Sequence, residues 1–224
     1  MLSSFNLPFP PLLNAPRLVV ATAPAEEPVT LAEIKAHLHI DSDADDAVLT
    51  GLLAAARGVL EEITSRSFVQ TKWTAYLDHW PRVGTYMSAA HSREIELPKA
   101  PLLAVAGTAV ESVKYLDKNG TEQTLAPANY NVAAGLSANW FGRLRLNPDA
   151  SIPTLGHFPG ALRVTFYAGY GAAAAVPEEI KVLIKLLAAN LHNNPVPVVN
   201  DLRVNDVPYT LRFLIENLTV RAVA

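Results

Sequence analysis

Apolar residues recur at helical spacing in a first stretch near the start of the chain. We predict a helix over 31–39, because Thr30 followed by Glu33 forms a capping box, in which each residue satisfies a backbone amide of the other. Its apolar face consists of Leu31, Ile34 and Leu38. A helix this short needs a packing partner to be stable.

A second and longer helical pattern follows at once. It predicts a helix over 44–66, with Asp43 as the N-cap and acidic side chains in the positively polarised first turn. A wide apolar stripe marks the face expected to pack, and it consists of Val48, Leu49, Leu52, Leu53, Ala56, Val59, Leu60 and Ile63.

The hydrophobic period then changes from helical to alternating. Short strands are predicted at 69–78, 94–97, 110–116, 121–125, 130–133, 144–146 and 161–168. The pair Asn119-Gly120 is typical of a tight hairpin turn. The spacing predicts an antiparallel sheet or sandwich over about 69–168 instead of parallel βαβ units.

Helical periodicity returns towards the end of the chain. Pro177 opens a helix predicted over 177–194, and a last short helix is predicted over 208–218. The fold class is therefore α+β, a small helical bundle that brackets an inserted β-sheet. We divide the chain into an arm (1–27), a core (28–194, helical at 28–66 and 177–194, with a β insertion at 67–171) and a C-terminal docking segment (195–224).

The arm over 1–27 is rich in proline and apolar residues and has almost no charge. Proline disfavours helix, so we expect an extended segment. Phe5 and Phe9 make it too apolar for a free linker. Two interpretations stay open: the arm packs on a neighbouring subunit, or it lies along its own domain. Four prolines and the lack of a basic start argue against a targeting segment.

Charge and cysteine content exclude several classes of function. The 224 residues carry a net charge of −3, which does not indicate an ordinary basic nucleic-acid binder. Residues 26–66 hold nine acidic and three basic residues, so the acidity lies on the first helical pair. The absence of cysteine excludes disulfides, zinc–thiolate sites and thiol catalysis. No apolar run is long enough for a membrane span.

Two stretches have residue types that bind metals. His37, His39, Asp41 and Asp43 alternate, but such side chains converge only on an extended backbone, and His37 lies near a helix end. The acidic run from Asp41 resembles the start of a calcium loop, yet the positions that need glycine and glutamate hold Asp46 and Leu52. We expect no metal and no cofactor.

Gly169–Ala174 resembles a degenerate dinucleotide-binding turn between a strand and a helix. Against this, the sheet is predicted to be antiparallel, and two glutamates follow Pro177 where an anion would sit. A flexible joint is the preferred interpretation, and a small-ligand or nucleotide-binding domain is the alternative from a different class. No nucleophile, base and oxyanion hole come together, so we expect no enzyme.

Several stretches, taken in order, resemble the phage head-to-tail connector, or adaptor, family of head-completion proteins, which also occurs in gene transfer agents. They are VTLAEIKAHLHID, LTGLLAAARGVLEEITSRSF, the strand with Trp73, IELPKAPLLAV, VESVKYLDKNGTEQTL with NYNV, and ALRVTFYAGYG with AVPEEIKVLIKLLAANL. Together they span about 30–195, and the arm over 1–27 departs from the pattern.

The resemblance implies a structural protein without catalytic activity. It would form a ring, commonly dodecameric, beneath the portal protein, extend the channel for double-stranded DNA without sequence-specific binding, and dock the tail or stopper protein. It would reside in the virion neck, be assembled in the bacterial host cytoplasm and contact no membrane. A head-closure or tail-terminator ring component is the nearest alternative.

Two sets of candidate residues follow. The channel lining would consist of Asp41, Asp43, Asp45, Asp46, Glu61 and Glu62, because a channel for moving DNA should not hold phosphates. An ordinary solvated acidic face is the competing interpretation. Contacts with the portal or a neighbouring subunit would involve Phe213, Leu214 and Leu218 in the tail and Phe5 and Phe9 in the arm.

Overall fold

The computed structural model describes residues 16–80, 94–103, 105, 107–133, 141–194 and 209–220, without the side chains of 209–213. The helices are α1 (Leu31–Leu38), α2 (Asp46–Thr64), α3 (Glu178–Asn193) and α4 (Tyr209–Leu218). The strands are β1 (Arg17–Thr22), β2 (Thr71–Leu77), β3 (Glu94–Leu97), β4 (Val110–Leu116), β5 (Glu122–Leu125), β6 (Tyr130–Ala133), β7 (Gly142–Leu146) and β8 (Leu162–Ala168). The predicted α+β fold, with helices on both sides of a β insertion in the sequence, is confirmed.

The strands form two antiparallel sheets that share one apolar core. The larger sheet has the order β1-β2-β8-β4-β5, and the smaller has the order β3-β7-β6. Alternate side chains of β8 are buried, namely Leu162, Val164, Phe166 and Ala168. They pack with Ile95 and Leu97 of β3 and Leu144 of β7. The period of two in the sequence therefore specifies which face of each strand is buried.

The helices enclose a second apolar core. It is formed by Ile34 of α1, Leu49, Leu53, Ala56 and Leu60 of α2, and Ile180, Leu183, Ile184 and Ala188 of α3. The predicted capping box of α1 is confirmed, because the Glu33 N–H donates to Thr30 Oγ1 at 3.2 Å and the Thr30 N–H donates to Glu33 Oε2 at 2.7 Å. These bonds from Thr30 hold the pKa of the Glu33 carboxyl below its usual value.

The start of α2 differs from the prediction. Asp43 is not its N-cap: the helix begins at Asp46 and its N-cap is Asp45, which makes no side-chain capping bond. Asp43 instead accepts a hydrogen bond from Lys35 Nζ of α1 at 2.6 Å, and Asp46 accepts from the same amine at 2.8 Å. The Lys35 ammonium group on α1 thus binds the Asp43 carboxylate, which does not cap α2.

Part of the predicted arm belongs to the large sheet. Strand β1 pairs antiparallel with β2, with Arg17 opposite Tyr76 and Thr22 beside Lys72. Arg17 also forms an ion pair with Asp78 at 2.8 Å, just past the end of β2. Residues 1–15, with Phe5 and Phe9, lie outside the described residues. The root of the arm is therefore fixed at the end of β2 that is remote from the helices.

Two adjacent residues of α2 differ in how far their side chains are buried in the helical core. Leu49 is fully buried, whereas Val48 is 55% exposed. We expect Leu49→Ala to lower the free energy of unfolding by about 2–5 kcal/mol, because it leaves a cavity. The matched change Val48→Ala should alter it by less than about 0.5 kcal/mol. Urea unfolding of both variants measures this, and equal losses would contradict the assignment of the buried face.

The capping box predicts a pH dependence. The pKa of Glu33 is lowered on folding, so the unfolded chain binds more protons in acid, and the contribution of the carboxylate is lost as the pH falls through its folded-state pKa. Near neutral pH, Glu33→Ala should lower the free energy of unfolding by about 0.3–1.5 kcal/mol. Urea unfolding between pH 3 and 7 should show this gap closing in acid. A gap that widens in acid would contradict the assignment, and the exposed Glu62→Ala serves as the control.

Candidate interaction surfaces

The chain passes from the helical core to the β core through residues 61–68, and buried polar side chains concentrate around this passage. In the described part of the chain, the buried polar or charged residues are Glu61, Thr64, Arg66, Ser67, Thr71 and Lys99. Ser67 Oγ accepts from the indole N–H of Trp73 at 2.9 Å, and Lys99 Nζ donates to the Glu61 carbonyl at 3.2 Å. We call these six residues the junction.

Glu61 lies inside the junction and is only 8% exposed. One carboxylate oxygen accepts from the Phe68 N–H at 2.7 Å, and the other accepts from Arg57 Nη1 at 2.7 Å. Burial raises the pKa of the Glu61 carboxyl. The expectation that Glu61 lies on a solvated face is wrong, because the chain reverses at Ser65 and brings an amide to the carboxylate. Glu61 is therefore removed from the candidate channel lining.

Arg66 connects the junction to the C-terminal helix. It is 1% exposed, and its Nε donates to the carbonyl of Leu218 at 2.6 Å, while Nη1 donates to the Tyr170 hydroxyl at 3.1 Å. The Val220 N–H in turn donates to the Thr64 carbonyl at 3.1 Å. The sequence did not predict these roles. The sequence prediction includes Arg66 in the helix over 44–66 and gives no indication of these contacts.

The helix that carries three of the candidate docking residues contacts its own subunit. Leu214 and Leu218 are partly buried against the helical core, together with Ile215. Phe213 lies outside the described side chains. Docking of a partner through this segment stays a prediction. A partner that bound Leu214 and Leu218 would contact side chains that already pack against the helical core.

The candidate acidic lining divides into two places. Asp41, Asp43, Asp45 and Asp46 lie around the start of α2, where Lys35 pairs with two of them and His192 lies 4.0 Å from Asp45. Glu62 lies sixteen residues after Asp46 on α2, which is about 24 Å along the helix axis. Its carboxylate lies 3.4 Å from Lys99 Nζ. The four aspartates therefore lie close together, whereas Glu61 and Glu62 lie at the other end of α2.

The apolar stripe predicted on α2 is wider than the face that the core buries. Val48, Val59 and Ile63 are 55%, 47% and 51% exposed. A Cβ at Gly51 or Gly58 would meet no atom within 4 Å, so the helix surface beside these side chains is open. Hydrophobic periodicity predicts that these residues pack in the core. Within the described part of the chain, however, their side chains lie on the surface.

The glycine-rich turn after β8 serves strand packing. Gly169 has a φ of +123°, and a Cβ there would lie 2.4 Å from the Val69 carbonyl oxygen. The Ala173 N–H, which a phosphate would need, donates to Glu26 Oε1 at 2.7 Å. These contacts favour the interpretation of Gly169–Ala174 as a joint between a strand and a helix over its interpretation as a nucleotide-binding site.

Among the residues that the structure describes, His, Asp and Glu side chains form no cluster of three or more suited to a metal ion. No helix there has the length and apolar character needed to cross a bilayer.

A groove of about 660 Å³ lies past the end of β2 that is remote from the helices. We call it the distal groove. Its lining includes Trp80, Pro153, Leu155, His157, Phe158 and Pro159. The Trp80 indole N–H donates to the Pro153 carbonyl at 2.8 Å, which fixes the ring. Aromatic rings and prolines thus make up a large part of the lining, and Asp78, His79, Thr154 and Gly156 complete it.

Phe158 is 41% exposed, and its ring lies close to the backbone at two glycines. A Cβ at Gly156 would lie 2.6 Å from the ring, and one at Gly120, in the predicted hairpin turn, would lie 3.4 Å from it. The close approach of ring and backbone thus requires glycine at 156. The Phe158 ring thus packs against the backbone beside the distal groove.

Replacing Arg66 should loosen the C-terminal helix. Arg66→Met keeps much of the side-chain volume but leaves the Leu218 carbonyl and the Tyr170 hydroxyl without this donor, at a cost on the order of 1–3 kcal/mol. Hydrogen exchange should then accelerate at residues 214–220 more than in β8. The exposed Arg17→Met serves as control, and unchanged exchange at 214–220 would contradict the role of Arg66.

Comparison with solved structures shows a shared fold over almost the whole chain. The protein is similar to a chain from the neck of an empty gene transfer agent (GTA) particle computed with C6 symmetry, with 23% identity and a TM-score of 0.67 over 93% of this chain and 97% of that chain. A chain from the virion of a native GTA particle gives 23% identity and a TM-score of 0.69 over 92% and 97%. A chain from the neck of a native GTA particle computed with C12 symmetry gives 23% and 0.68 over 93% and 97%.

Sequence comparison identifies the family. No curated protein is significantly similar in sequence. The family described as "Phage gp6-like head-tail connector protein" matches residues 28–140, which include α1, α2 and strands β2 to β6. This match covers half of the chain and confirms the resemblance seen in the sequence, and the protein therefore belongs to the phage gp6-like head-tail connector family.

Proposed function

We propose that the protein is a structural adaptor in the neck of a tailed phage or GTA-like particle. Copies of the chain would form a ring, with twelve copies as the expected number, beneath a portal protein. The ring would extend the DNA channel, dock the tail or stopper protein and carry out no catalysis. The family match over 28–140 is the observation that carries this proposal. The likeness to neck chains over 92–93% of this chain supports it.

A closed ring needs two different, complementary faces on every copy. The described surface offers candidates for such faces, because the α2 stripe and the distal groove both expose apolar side chains and lie in different parts of the molecule. The arm, with Phe5 and Phe9, and the tail, with Phe213, Leu214 and Leu218, would add contacts with a neighbouring subunit or the portal. We expect assembly in the host cytoplasm before incorporation into the particle.

The four aspartates around the start of α2 are the proposed lining of the DNA channel. Asp41, Asp43 and Asp45 are exposed, and Asp46 is partly exposed. Negative side chains repel phosphates, so the duplex would pass without being held. Glu62 is an exposed acid at the other end of α2 and is a weaker candidate, since Lys99 lies beside it.

Reversing charge at the proposed lining should impair DNA transit. We expect Asp41→Lys with Asp45→Lys to assemble into particles in normal number but to lower DNA delivery at least tenfold, because each lysine adds a phosphate contact. The matched control is Asp149→Lys, at an exposed acid in the loop after β7. Particle counts by electron microscopy and DNA delivery to recipient cells measure the two effects.

The charge-reversal experiment and a deletion strain can each contradict part of the proposal. Normal delivery by the double variant would remove the aspartates from the channel. Complete, tailed and DNA-delivering particles from a strain that lacks the protein altogether would contradict the neck-adaptor function itself.

A further inference from the structure

The distal groove has the chemistry of a binding site for proline-rich peptide. Segments in the polyproline II conformation bind grooves lined by aromatic side chains, because their rigid prolines pack on flat rings at little entropic cost. Here the Trp80 indole donates a hydrogen bond to the Pro153 carbonyl, and the Phe158 ring packs close to Gly156. Such preorganised rings lower the cost of binding.

A proline-rich segment near the start of the sequence has matching chemistry. Residues 5–13 read FNLPFPPLL, which includes the PxxP pattern from Pro8 to Pro11. The segment has no charged side chain, so it can enter an aromatic groove without desolvating an ion. Phe9, between two prolines, adds an aromatic ring of its own.

The root of the arm lies at the lip of the groove. Arg17 Nη2 donates to Asp78 Oδ1 at 2.8 Å, and the Gly160 N–H donates to the same oxygen at 2.7 Å. Asp78 borders the distal groove, and Gly160 follows the Phe158-Pro159 pair. Every copy in a ring would therefore present an arm and an arm-binding groove at the same end of its large sheet.

We propose that the distal groove binds residues 5–13 of a second copy of this chain, so that each arm latches the neighbouring subunit. This proposal rests on the ring proposed above, because the groove and the arm are the two different faces that a heterologous contact needs. An extended proline-rich segment advances about 3.1 Å per residue, so residues 5–13 would lie between about 9 and 34 Å from Pro16. The proposal therefore requires the neighbour's groove to begin within about 9 Å of the root, as at a contact between directly adjacent copies.

The cysteine-free sequence allows a disulfide test on the full-length protein. One variant carries Asn6→Cys in the arm, and a second, with a size tag, carries Thr154→Cys at the exposed rim of the groove. Mixing them under mild oxidation should give a disulfide-linked heterodimer on a denaturing gel. Thr154→Cys is compared with Val182→Cys on α3, where the side chain is 38% exposed and lies outside the groove.

The proposal expects cross-linking to Thr154→Cys at least tenfold faster than to Val182→Cys. Adding Pro8→Ala and Pro11→Ala to the arm variant should abolish that difference. Phe158→Ala in the groove variant should do the same, with circular dichroism used to confirm that it is folded.

Two results would overturn the proposal. Equal rates for the two target positions would show that the arm does not recognise the groove. A double variant with Asn6→Cys and Thr154→Cys that cross-links within one chain, at a rate independent of concentration, would show that each arm occupies its own groove.

Failure of this proposal is distinguishable from failure of the neck function. Particles completed by an arm variant that does not cross-link would contradict the latch and leave the adaptor intact. Cross-linking without incorporation into particles would support the latch and contradict the adaptor.

Discussion

The burial of Glu61 is the interaction on which the rest of the structure depends. Its carboxylate lies between the Phe68 amide and Arg57, so one side chain connects the end of α2 to the segment that enters the β core. An ionisable group inside a protein is tolerated only when hydrogen bonds replace its water. The neighbouring Lys99 and Arg66 obey the same rule, since each donates to a backbone carbonyl. The junction joins two cores through polar bonds, which fixes their connection in a way that apolar contact alone does not.

The junction also determines where the remaining surfaces lie. Because α2 ends at the junction, its first turn and the four aspartates lie at the far end of the helix, about 27 Å away at the helical rise. Because β2 starts there, the distal groove and the root of the arm lie past the other end of that strand. Acidic and aromatic surfaces are therefore separated within one subunit. Under the proposed function, this separation lets one part of each copy face DNA while another contacts its neighbour.

Local patterns in the sequence predicted the elements, since they depend on residues close in the chain. The capping box at Thr30 and the alternation in β8 are examples, and both are confirmed. The errors came from partners distant in sequence. Capping rules assign Asp43 to the helix end because they take no account of Lys35, which lies on another helix. Hydrophobic periodicity assigns Glu61 to solvent because it contains no information about the Phe68 amide. The distal groove was not predicted either, because it unites residues 78–80 with 153–159 through the pairing of β2 and β8.

The proposed contacts respond differently to salt, and this constrains how such a neck would work. Repulsion between the aspartates and phosphates is screened over about 10 Å at 0.1 M salt, so it acts only when DNA is close to the wall. The proposed burial of Phe9 and two prolines against Trp80 and Phe158 would depend on apolar area, which screening does not reduce. A ring held mainly by such latches would keep its subunits together across ionic conditions that alter its hold on DNA. Apolar side chains at subunit contacts and acidic ones in the channel are thus the chemically consistent assignment of the two surfaces.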